Sequence, residues 1–150
     1  MVLTAFDDLT ALEAPSKPTL HPAIYVEPKD RSTESEDSRQ ATFVATMRRL
    51  HKACEVYAVP NGGKRSQWSA AKAKREGLRK GWPDVGVVWA DGEARIEFKA
   101  GRTMPDDDQV LLLNWLHLRG HAVAVCRTME GAVNWLHGIG APVGRVIPPL

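Results

Sequence analysis

The sequence predicts an α/β fold with the element order αβαββαβα. Three observations carry it. Segments with apolar residues at three- and four-residue spacing alternate with short β-rich runs, two such runs flank Asp91 and Gly92, and glycines at 77 and 120 fall where helical periodicity stops. At 150 residues the chain has room for one domain with a real core. Its hydrophobic content of 43% and charged content of 25% are those of a soluble globular protein, and no apolar run approaches the roughly 18 residues of a membrane span.

Residues 1–33 scatter Pro15, Pro18, Pro22 and Pro28 among charges without a sustained period, which predicts an irregular N-terminal arm. A first helix is expected over 33–52, with Phe43, Val44, Met47 and Leu50 as its buried stripe. Residues 55–59 alternate as a strand and stop at Pro60, Gly62 and Gly63. A second helix starts at Ser66 or Gln67 and ends at Gly77. Strands over 85–89 and 94–98 form a hairpin around Asp91-Gly92. Pro105 and the aspartates 106–108 suit a helix start, where negative charge meets the positive end of the dipole. Leu112, Leu113 and Leu116 form that helix's inner face, and Gly120 ends it before a strand over 121–126. A last helix over 129–137 closes the main domain, expected at 34–137, and leaves 138–150 as a C-terminal tail.

The first residues have neither the basic start nor the apolar stretch of a signal peptide. Cys54 and Cys126 lack CxxC spacing and a nearby ligand cluster, which points to reduced structural thiols in a cytoplasmic protein. The net charge of +2 conceals an uneven distribution, because residues 1–37 hold eight Asp/Glu against three Lys/Arg. Between Pro60 and Trp82, the cations Lys64, Arg65, Lys72, Lys74, Arg75, Arg79 and Lys80 face only Glu76. Such a stretch is either a solvated helix face or a footprint for a polyanion, where each neutralised phosphate releases counterions. Asn61, Lys64 and Arg65 adjoin a glycine pair whose bare backbone lets a phosphate approach, so they join the DNA-contact candidates.

The chemistry concentrates in the hairpin. Glu97 and Lys99, two apart on a strand, share a face while Phe98 turns away, and Asp84 enters from the paired strand. Two carboxylates and an ammonium at a sheet edge suit a divalent cation and an activated water; without a cation the carboxylates would mainly repel a phosphodiester. A plainer reading makes Asp84 a turn cap and Glu97 with Lys99 a surface pair.

Taken together, PNGGKR at 60–65, AAKAKREGLRKGWPD at 70–84, IEFKAG at 96–101 and Gln109 at a helix start resemble the VRR-NUC domain of the PD-(D/E)xK nuclease superfamily. The resemblance spans about residues 34–137 and implies a restriction-endonuclease-like core, a mixed central sheet flanked by helices. It implies Asp84 and Glu97 as ligands of Mg2+ or Mn2+, the Phe98 backbone carbonyl as a third oxygen, and Lys99 as the group that orients or helps deprotonate the attacking water. Gln109 resembles a glutamine lining such sites. Glu36 is similar to an acidic residue of the first helix that reaches the metal directly or through water. Glu34 and Asp37 compete with it, although Glu36 alone follows the Gln40, Phe43 and Met47 face. Met104 before Pro105 departs from the small residue usual there. The activity implied is a metal-dependent DNA endonuclease, selective for branched DNA such as a Holliday junction, acting as a homodimer without a membrane in phage or prophage replication or repair. The rival is a noncatalytic DNA-binding or assembly module with the same fold.

Overall fold

The computed structural model describes residues 16–60 and 67–147. In chain order these form β1 Tyr25–Val26, α1 Glu36–Leu50, β2 Glu55–Ala58, α2 Gln67–Arg75, β3 Val85–Trp89, β4 Gly92–Phe98, α3 Asp107–Leu118, β5 Ala122–Cys126 and α4 Met129–Gly138. From α1 onward the order is the one the periodicity predicts. The strands make a mixed sheet ordered β1-β5-β4-β3-β2. β2, β3 and β4 pair antiparallel, while β4 pairs parallel with β5 and β5 parallel with β1. The parallel β4–β5 pair is joined by α3, because such strands need a crossover long enough to return to the starting edge.

Two apolar layers enclose the sheet. On one face Phe43 and Met47 of α1 and Ala132, Val133 and Leu136 of α4 pack on Val85, Val87, Ile96, Phe98 and Cys126. On the other, Leu112, Leu113 and Leu116 of α3 pack on Val123 and Val125 with Ile24. The helices start on side chains that satisfy their free N–H groups: the Ser35 hydroxyl accepts from Ser38 N–H at 3.1 Å, and the Thr128 hydroxyl from Gly131 N–H at 2.9 Å. At the end of α2, Gly77 takes φ +97°, Leu78 N–H reaches the Ala73 carbonyl, and Gly77 N–H reaches that of Lys74. This is the double bond of a Schellman stop.

Four expectations shift. Leu50 is 60% exposed, since α1 ends there, and the inward face of the helix is instead Arg39, Phe43, Thr46 and Met47. The hairpin loop is Ala90-Asp91, because Gly92 already pairs with Trp89. Gly92 is needed for space: a Cβ there would sit 2.6 Å from the Trp89 ring. The N-terminal arm is irregular over most of residues 16–33, yet β1 adds an edge strand and Ile24 enters the core. The tail returns along α4, with Ala141 and Val143 buried and Val146 N–H bonded to the Asn134 side chain at 2.7 Å. The packed unit therefore extends beyond 34–137 at both ends.

Leu113 is fully buried beneath α3, and truncating it leaves a cavity that packed neighbours fill only in part. Leu113→Ala is expected to lower unfolding free energy by about 2–5 kcal/mol, measured by urea titration.

Candidate active site

The site lies where β4 ends, on the sheet face that α3 covers. Val85 pairs with Ile96, so the antiparallel register continued one step sets Asp84 opposite Glu97 with both side chains on one face. Asp84 is tied down from two sides. Its Oδ2 accepts the Phe98 N–H at 2.9 Å, and its backbone carbonyl accepts Val59 N–H at 2.8 Å. A strand residue points its N–H and C=O to the same side, so the Phe98 carbonyl shares the side of Asp84.

Glu97 is 1% exposed. Its Oε1 accepts a 2.7 Å hydrogen bond from Gln109 Nε2, while Oε2 is buried with no hydrogen-bond partner among the described residues. Burial, and then the negative charge of Asp84, push the Glu97 carboxyl up to about 9, against the opposing pull of Lys99. Lys99 is itself buried, with Nζ 3.6 Å from Glu97 Oε1 and 3.6 Å from Glu36 Oε1. Its backbone N–H bonds Cys126 at 3.0 Å, extending the β4–β5 ladder one residue.

Gln109 is fixed by the start of α3. Asp106 caps the helix by accepting Gln109 N–H at 2.9 Å, and Gln109 Oε1 accepts Asp106 N–H at 2.9 Å in return. With its oxygen committed to the cap, the amide turns its N–H2 toward Glu97. Met104 does not disturb this start, because Pro105 is buried just ahead of the cap. Gly81, at φ +89°, lets the chain leading to Asp84 run against α3; a Cβ there would lie 2.8 Å from the Asp108 carbonyl oxygen.

The structure thus gathers Asp84, Glu97, Lys99 and Gln109, and brings in Glu36 across Lys99. Among the described residues no group of three or more His, Cys, Asp or Glu side chains converges. Glu36 therefore meets the carboxylate pair through the lysine, with the Thr103 hydroxyl 3.4 Å from its Oε1. Oxygen donors from Asp84, Glu97 and the Phe98 carbonyl suit a hard divalent cation. The unpartnered buried Oε2 of Glu97 fits such an ion, since a buried polar atom without a partner is costly.

Of the basic candidates, Asn61, Lys64 and Arg65 lie outside the described residues. Lys72, Lys74, Arg75 and Arg79 are exposed at and beyond the end of α2, with Lys72 Nζ 3.8 Å from Glu76. Lys80 reaches the site's rim, 3.2 Å from Asp108 in the first turn of α3.

Sequence reasoning missed a pair of buried arginines behind the site. Arg127 is fully buried; its guanidinium donates to the Glu27 carbonyl at 3.0 Å and the Gly101 carbonyl at 2.9 Å. Arg39 grips Asp30 through two bonds of 2.6 and 3.0 Å and donates to the Arg127 carbonyl at 2.8 Å. Together they fasten the arm to the loop that follows Lys99. Arg39 carried one signal, standing four residues before Phe43 on the inward face of α1; Arg127 carried none.

No protein-family model matches the chain, and no curated protein does. Among solved structures it resembles a VRR_NUC domain protein with a TM-score of 0.59 and 21% sequence identity, over 77% of this chain and 94% of that chain. The chain therefore has the VRR-NUC fold, a mixed five-stranded sheet with helices on both faces. No helix among the described residues is long and apolar enough to cross a membrane.

The raised Glu97 carboxyl makes stability depend on pH. Unfolded, the group ionises above its ordinary value of 4.5; folded, it keeps its proton to about 9. Between these values the native state holds the extra proton, so stability falls as pH rises through that window. In chelator, Glu97→Gln is expected to raise the melting temperature by several degrees at pH 8 and to change it little at pH 4, since a tenfold difference in proton affinity between folded and unfolded chains is worth about 1.4 kcal/mol. Equal effects at both pH values would contradict a protonated Glu97.

Proposed function

We propose that this protein is a Mg2+- or Mn2+-dependent DNA endonuclease that hydrolyses phosphodiester bonds. The observation that carries the reading is the buried Glu97 with its unpartnered Oε2, set opposite Asp84 and flanked by Lys99, at the end of a strand in a VRR-NUC fold. Asp84, Glu97 and the Phe98 carbonyl would hold the cation, which when bound supplies Lewis acidity at the phosphate and lowers the pKa of water. Lys99, held between Glu36 and Glu97, places a positive charge where negative charge grows on the phosphate and the entering oxygen. Gln109 holds Glu97 in one orientation, leaving the other carboxylate oxygen to face the ligand. The exposed cations 72–80 carry the DNA backbone toward this edge. Branched DNA, recognised through its shape and backbone, is the substrate proposed. Two copies acting together would supply the paired cuts that a four-way junction requires. Buried thiols at Cys54 and Cys126 suit a reducing cytoplasm, and phage or prophage replication or repair is the setting proposed.

A supercoiled plasmid and a synthetic four-way junction, each incubated with Mg2+ or Mn2+, test the activity. Cleavage is expected with metal and not with chelator, and Lys99→Ala is expected to lower the rate about 100-fold or more. DNA binding with no cleavage under any metal would favour the noncatalytic module instead. Replacing Lys72, Lys74 and Arg75 together by Ala is expected to reduce the salt slope of DNA binding by about 0.9 for each phosphate that the variant no longer neutralises. An unchanged slope would leave that helix end a solvated face.

A further inference from the structure

The outward face of α3 is apolar where a monomer has no need of it. Leu111 is 57% exposed, Trp115 43% and Leu118 68%. Asp107, Leu111, Trp115 and Arg119 recur every fourth residue, so they form one continuous ridge from the first turn of α3 to its cap. The ends of the ridge carry opposite charges. Asp107 is exposed at the start, and at the end the Arg119 guanidinium lies 3.9 Å from the centroid of the Trp115 ring.

We propose that this ridge is the interface between two copies of the chain, packed α3 against α3 antiparallel about a two-fold axis. The choice of a second copy follows from the symmetry of the ridge. An axis passing midway between Leu111 and Trp115 sets Leu111 against Trp115 of the other copy and Asp107 against its Arg119, each pairing occurring twice. Ridges of every fourth residue interlock in the commonest class of helix packing, and the end charges fix the antiparallel direction while opposing the parallel one. Leu118, one turn from Trp115 and beside Arg119, widens the apolar strip.

The pairing has a consequence for the site. Gln109 sits in the first turn of α3, so antiparallel helices carry the two Glu97 centres to opposite ends of the helix pair, a helix of 12 residues being about 18 Å long. The inference deepens the reading of two copies acting together by naming the face they share. Its failure is separable from failure of the nuclease reading, because association is measured without DNA or metal.

Sedimentation of the full chain from low to high micromolar concentration tests it. The mass is expected to rise from that of a monomer to twice that value, and Leu111→Glu, with circular dichroism confirming the fold, is expected to weaken association at least tenfold. Asp107→Arg and Arg119→Asp are each expected to weaken it, and the double variant to recover most of the affinity. A wild-type chain that stays monomeric overturns the proposal, as does a dimer indifferent to Leu111→Glu or a double variant that recovers nothing.

Discussion

A carboxyl group removed from water sets the terms for the structure around it. Glu97 is almost wholly buried on the α3 face of the sheet, with Asp84 opposite and Lys99 two residues on. A lone buried carboxylate is costly, and the fold meets that cost in two ways. One oxygen takes the Gln109 amide, and the carboxyl keeps its proton far above the ordinary range. The second oxygen is left without a hydrogen bond, which is the state a cation would relieve. The fold thus holds a buried acid that keeps its proton on the strength of burial and a neighbouring carboxylate, with one oxygen still unsatisfied.

Holding three groups around that carboxyl requires walls that do not move, and the buried arginines provide one of them. Lys99 is followed at once by the loop whose Gly101 carbonyl accepts from Arg127, and Asp30 N–H bonds the same carbonyl at 3.1 Å. Burial pushes the Arg127 guanidinium below its ordinary value, while Asp30 and Glu27 oppose the shift. Arg39 ties Asp30 to α1, the helix that also carries Glu36 toward Lys99. A guanidinium suits this task because its several donors are held in one plane and can bind carbonyls of different segments at once. The arm, the loop and the first helix thus form a single frame behind the ammonium.

Much of this was legible in the sequence, and what was not has physical reasons. Asp84, Glu97 and Lys99 were placed together because strand periodicity and a short hairpin fix their faces locally. Gln109 was placed because a run of aspartates after proline marks a helix start. β1 was not legible: it is two residues long and exists through parallel pairing with β5, about a hundred positions away. Arg127 follows a buried strand and looks like any surface arginine, since its burial depends on carbonyls brought from other segments. Leu50 misled because helical periodicity says which residues align, and the helix end decides which of them stay covered.

α3 joins the three levels of the structure. Its inner leucines 112, 113 and 116 seat it on β5, its first turn aims Gln109 at Glu97, and its outer ridge faces away from the core. These faces belong to one rigid helix of 12 residues, so they cannot be adjusted independently. A rotation that improved the fit of Leu113 would turn the Gln109 amide away from the carboxyl, and a shift along the axis would part the Asp106 cap from the amide it orients. The hydrogen bond on Glu97 Oε1 is therefore only as well defined as the packing of leucines beneath it, and core packing is what sets which oxygen the site presents.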